Sequence, residues 1–225
     1  MKKILMATAI AAASMMGAQS ALANNAVYIE QIGNTNTVTI TQVGALNRVG
    51  TNPNHSTITG NSNSLTATQT GDGNILDYTV VGDSNTIVKN ITGNNNTVTM
   101  TCGDSTTACT SVTSTTTISG DMNTVTQTIK GSNITNTLSI TGDSNTVTQN
   151  IQTSNSTANI TIVGDSNIFN NTMSGPSAGG GHHLIASVTG TSNTHNVTQH
   201  GVVDTNVSII TNGSSNNVTV VTGKQ

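Results

Sequence analysis

The sequence predicts an all-β protein, a two-sheet β-solenoid of ~22-residue coils with two 11-residue strand-turn units per coil. The first observation is a repeat. Gly-Asp-Ser-Asn stands at Gly142–Asn145 and again at Gly164–Asn167, 22 residues later, with a degraded copy at Thr153–Ser156 halfway between. The second is composition: 33% hydrophobic and 7% charged residues, with no Trp, cannot build a conventional globular core. Disordered chains of low hydrophobicity usually carry high net charge and many prolines, whereas this one has net charge −3 and only two prolines. Thr, Asn, Gly, Ser and Val dominate, the residues of short strands and tight turns. The third is an alternation of period two between the glycines.

In chain order, Lys2-Lys3, the apolar run Ile4–Ala13 and the small-residue site Ala21-Leu22-Ala23 read as a secretory signal peptide over residues 1–23. The apolar run is shorter than the ~20 residues a spanning helix needs, and no later segment reaches that length, so no membrane span is expected. The repeat domain is then 24–225, secreted, and soluble or surface-bound outside the cytoplasm. Its charge balance is neither basic nor aromatic enough to suggest nucleic acid as a partner.

The bends come from Gly-x-x-Asn. The motif recurs at Gly33/Asn36, Gly44/Asn47, Gly60/Asn63, Gly71/Asn74, Gly82/Asn85 and Gly93/Asn96, then at Gly120/Asn123, Gly142/Asn145, Gly164/Asn167, Gly190/Asn193 and Gly213/Asn216. Glycine accepts positive φ and Asn tolerates the left-handed region, so each motif suits a sharp bend. The seven residues between bends form a strand. Alternate positions within it are apolar or amide: Val38, Ile40 and Gln42; Leu65, Ala67 and Gln69; Leu76, Tyr78 and Val80; Val125, Gln127 and Ile129; Val147, Gln149 and Ile151; Ala158, Ile160 and Ile162. These face inward and the Thr-rich positions between them face water. Successive coils stack at ~4.8 Å, so seven or so coils make a rod about 34 Å tall. Inward Gln and Asn are tolerable only if each amide bonds to the amide one coil above, as in cross-β ladders.

Three intervals break the beat: Gly44–Gly60, Gly103–Gly120, and Gly175–Gly190 with Pro176, Gly179-Gly180-Gly181 and His182-His183. They are expected as loops pushed out from bends. Later units are less regular: Asn136, His195 and Asn206 occupy places where an apolar residue is expected.

Gln31-Ile32-Gly33-Asn34-Thr35-Asn36-Thr37-Val38, repeated as Gln42-Val43-Gly44-Ala45-Leu46-Asn47 and Gln69-Thr70-Gly71-Asp72-Gly73-Asn74, resembles the curlin repeat, Gln-x-Gly-x-Gly-Asn-x-Ala with a second Gln six residues after the Asn. In period and turn motif the resemblance covers most of residues 27–222. It implies a divergent subunit of curli, the extracellular amyloid fibres of bacterial biofilms, whose solenoids polymerise end to end. It also implies the partners of that family: other copies of itself, a sibling nucleator subunit and an outer-membrane export channel. The motif's second glycine survives only at Gly73, and Cys102 and Cys109 are foreign to the repeat.

In a secreted chain Cys102 and Cys109, bracketing an inserted loop, read as a disulfide; two Cys without nearby His are below the usual count for a metal. His182-His183 read as a solvated loop pair. Asp121, Asp143 and Asp165 would occupy one bend in successive coils, close enough to repel, so acid or a divalent cation would promote stacking. Outward Thr-Val-Thr triplets at 37–39, 97–99, 124–126 and 146–148 resemble the arrays of ice-binding β-solenoids, the alternative function. Interruptions at Ile168-Phe169-Asn170 and Thr194-His195-Asn196 weigh against an unbroken plane. No catalytic constellation and no cofactor or metal site is expected.

Overall fold

The computed structural model describes residues 24–51, 53–175 and 181–223. The expected signal peptide, and Pro176, Gly179 and Gly180 of the third insertion, lie outside the described residues.

Among the described residues there is no helix, and every strand pairs in parallel within one of two sheets. The front sheet begins at Ala26–Val27 and Ile29–Ile32, passes through Ile75–Asp83, Thr97–Cys102, Thr124–Ile129, Thr146–Ile151, Ile168–Ser174 and Thr194–His200, and ends at Asn217–Thr222. The back sheet runs from Thr37–Val43 to Asn206–Ile210. The chain alternates between them, so each coil is a front strand, a bend, a back strand and a bend. The front sheet has nine rungs and the back sheet eight. At ~4.8 Å per rung the rod is about 38 Å tall, slightly more than the sequence implies.

Register follows the beat. Val125 lies beside Val147 and Val98, and Ile129 beside Ile151. Coil-to-coil separation is 22 residues where nothing is inserted, as from Asn123 to Asn145, and 26 or 27 where a loop intervenes, as from Asn167 to Asn193 and from Asn96 to Asn123. The expected inward residues from Leu65 to Ile162 are buried, while Val38, Ile40 and Gln42, at the first rung of the back sheet, are half-buried. The core is therefore a single thin seam, with Val, Ile and Leu of the two sheets meeting across it.

The bends have a common geometry. Gly93 has φ +116° and its Cα lies against the Gly120 carbonyl, with no room for a Cβ. The residue two places on takes the left-handed region whatever its type, as at Leu46 (φ 60°) and Met122 (φ 56°). That position corresponds to the second glycine of the curlin motif.

One insertion is not where the sequence placed it. The first leaves the middle of a front strand: Arg48–Val49 and Ser56–Thr59 are two halves of one rung, separated by the loop at Gly50–His55. The second emerges at a bend, as expected, between Cys102 and Cys109, which lie beside Val80 and Gly82 of the previous coil, Cys109 taking the bend-glycine place. Glycine spacing reports only the length between bends, so it cannot distinguish a mid-strand exit from one at a bend. Asn206 also differs from expectation. It faces outward, and Val207 and Ile209 face in, because the preceding bend absorbs the extra residue of Gly201–Gly213.

Candidate functional site

Three features could carry function: the stacked bends, a buried polar column and the open ends of the rod.

On the bend leading into the front sheet, Asn25, Asn47, Asn74, Asn96, Asn123, Asn145, Asn167, Asn193 and Asn216 form one continuous ladder. Asn123 shows the pattern. Its backbone N–H and Nδ2 donate to Asn96 Oδ1 at 2.9 and 3.1 Å, Nδ2 also donates to the Gly142 carbonyl at 2.8 Å, and its own Oδ1 accepts from Asn145 N–H and Nδ2. Each fully buried amide thus bonds in both directions along the axis, which removes the desolvation cost that an isolated Asn would incur. Gly44, Gly71, Gly93, Gly120, Gly142 and Gly164 stack as the companion column.

The opposite bend holds only the beginning of such a ladder. Asn36, Asn63 and Asn85 stack in the same way over Gly33, Gly60 and Gly82, and Val112 N–H closes the series on Asn85 Oδ1. Val112, Ile134, Ser156 and His182 then take the place of Asn. His182 is therefore a buried bend residue, its Nδ1 2.9 Å from Thr205 Oγ1 and its Nε2 3.2 Å from the Ser174 carbonyl. Only His183 is exposed, so the two do not form a solvated pair.

Glutamines stack for single steps. Gln42 Nε2 donates to Gln69 Oε1 at 2.8 Å, and Gln69 turns its Nε2 to the Arg48 and Asn74 carbonyls because Ile91 follows it in the back sheet. Gln31 Nε2 reaches the Asn36 carbonyl at 3.3 Å.

The second pair, Gln127 over Gln149, belongs to a buried polar column centred on Lys89, a residue that sequence reasoning passed over. Lys89 is completely buried, and its Nζ donates to Ser114 Oγ, Thr116 Oγ1 and Gln127 Oε1 at 3.1, 2.8 and 2.7 Å. Gln127 Nε2 continues to Asn136 Oδ1 and Gln149 Oε1 at 2.9 and 2.8 Å. Burial pushes the Lys89 ammonium down to about 7. The signal was present: Lys89 is seven residues after Gly82, an inward place. Past Gln149 the column loses its partners, with Gln149 Nε2 and both polar atoms of Asn171 unbonded within the protein. Inward amides are therefore satisfied along the bends but not throughout the core.

Cys102 and Cys109 are joined in a disulfide, with Cα atoms 5.6 Å apart. The loop it closes is also held by Lys130 Nζ, 2.6 Å from Asp104 Oδ2, a contact that keeps the Asp104 carboxyl well below its usual range. Asp121, Asp143 and Asp165 do occupy one bend column, and their carboxylates accept from the backbone N–H of the preceding coil: Asp121 N–H to Asp143 Oδ1 at 2.7 Å, Asp143 N–H to Asp165 Oδ1 at 2.8 Å. No group of three or more His, Cys, Asp or Glu among the described residues could hold a metal ion. A shallow hollow of about 260 Å³ beside His55, Asp77, Tyr78 and Met100 brings no such group together.

The ends are open. In Thr37–Val43 and Asn217–Thr222 the inward residues Val38, Ile40, Val218 and Val220 are only half-buried, because no further rung among the described residues covers them. Asn216 Oδ1 accepts no hydrogen bond from the described residues, although its counterparts along the interior of the ladder accept two.

The fold defines the class: a parallel, two-sheet β-solenoid whose end rungs no described residue caps. No family model, no curated protein and no solved structure matches the chain. No helix among the described residues is long and apolar enough to cross a membrane.

Proposed function

We propose that the protein is a secreted structural subunit that polymerises end to end into an extracellular, curli-like amyloid fibre serving surface adhesion and biofilm matrix. Residues 1–23 direct secretion and are removed, and assembly follows outside the cytoplasm. The observation that carries this reading is the pair of end rungs that no described residue caps. An unpaired strand row is a template for another chain, and natural proteins blunt such rows with Lys, Pro or a covering loop. Asn217–Thr222 has none of these, and Ala26–Ile32 carries only Glu30. A rod whose coils already stack in register and whose bend amides bond along the axis has the geometry of a cross-β filament in each copy. A sibling nucleator subunit and an outer-membrane export channel are the partners that the repeat resemblance adds.

The test is incubation of the purified chain from Asn24 onward at neutral pH. Thioflavin-positive filaments are expected. A persistent monomer at micromolar to millimolar concentration would overturn the reading, and one that slows ice growth would favour the Thr-rich alternative.

A further inference from the structure

Among the described residues the front sheet has nine rungs and the back sheet eight, so the described rod contains a half-integral number of coils. This has a consequence for the end-to-end assembly proposed above, on which the inference rests. If a second copy laid Ala26–Ile32 on Asn217–Thr222, its first back strand, Thr37–Val43, would stand two rungs above Asn206–Ile210. One back rung would be missing at every junction, and Val218 and Val220 would face an empty slot.

We propose that copies join by strand displacement: Asn217–Thr222 of one copy takes the place of Ala26–Ile32 in the next, and the released amino-terminal segment becomes a free tail. Each copy then contributes eight rungs to both sheets and the junction has no gap. The register supports the exchange. Asn216 is the bend residue before the last front strand, as Asn25 is before the first, so Asn216 Oδ1 meets the Asn47 N–H that Asn25 Oδ1 accepts at 2.9 Å. Val218 and Val220 then fill the inward places of Val27 and Ile29. In the back sheet, parallel register carried down the rod sets Val207 and Ile209 beside Val38 and Ile40. The amino-terminal strand is the one that leaves because its pairing to Arg48–Val49 and Ser56–Thr59 is its only hold on the sheet, whereas the incoming strand meets that same split rung while keeping its own neighbour. Asn217–Thr222 pairs with its neighbour over six unbroken residues. Ala26–Ile32 therefore acts as a removable cap on the growing end.

Outward positions provide the test without disturbing the core. Adjacent parallel rungs bring Cα atoms to ~4.8 Å, within disulfide range. Copies carrying Val221→Cys are mixed with copies carrying Thr57→Cys, and separately with copies carrying Glu30→Cys, and oxidised after assembly. Displacement predicts intermolecular linkage of 221 to 57, at least tenfold above that of 221 to 30, and an axial repeat near 38 Å, eight rungs at ~4.8 Å. Linkage of 221 to 30 with a repeat near 43 Å, or filaments with neither linkage, overturns displacement while end-to-end assembly stands. Absence of filaments from the unsubstituted chain overturns the assembly reading itself.

Discussion

Met122 holds a left-handed backbone conformation with no glycine to relieve it, at a cost of ~1 kcal/mol or more for an L-residue. Its side chain is 59% exposed and contributes little packing. Met122→Gly is expected to raise stability by about 1 kcal/mol, read as a shift in the denaturant midpoint at unchanged slope. Lys89 makes an opposite, pH-dependent contribution. Its unfolded value is 10.5 and its folded value about 7 because burial disfavours the charge. Between those values the unfolded chain binds more protons, so stability rises with pH. The gain from pH 7 to 10 is roughly 3–4 kcal/mol from this group. Lys89→Met is expected to flatten that slope, and an unchanged slope in pH-dependent denaturation would show that another group governs it.

The bend and the strand it introduces form the repeating element, and the continuous Asn ladder fixes one coil on the next. Asn123→Ala would leave the Asn145 N–H and the Gly142 carbonyl without side-chain partners and break the column at its middle. A loss of about 3–5 kcal/mol is expected in equilibrium unfolding, against under 1 kcal/mol for an exposed control such as Thr126→Ala. Cys102 and Cys109 close a loop of seven residues' separation, and their joint replacement by Ser is expected to cost about 2–3 kcal/mol. Amide exchange should show the loss concentrated at Gly103–Ala108 and the adjoining rung. At this scale the sequence was informative about the beat, because Gly and Asn are forced by a left-handed turn and a carbonyl in close contact. It was silent on where Gly50–His55 leaves its strand, since loops from a bend and from mid-strand have the same length. The polar column was legible in principle from the inward parity of Lys89, Ser114 and Thr116. Charge at an inward place is unusual enough that composition alone did not point to it.

For the whole molecule, the decisive property is that nothing among the described residues terminates the stack. Internal rungs are bonded on both sides, whereas the first and last offer unpaired edges, half-buried Val and Ile, and one idle Asn oxygen in line with the ladder. The apolar seam is thin and each coil contacts only its neighbours, so stability grows by roughly equal increments per rung and a further copy extends the same column. The end-to-end assembly proposed above rests on this edge chemistry. The most direct measurement is X-ray diffraction from aligned filaments of the chain from Asn24 onward. A meridional reflection at ~4.8 Å, with strands perpendicular to the filament axis, is the expected result. Filaments lacking that meridional spacing, or a chain that remains a monomer under the same conditions, would contradict it.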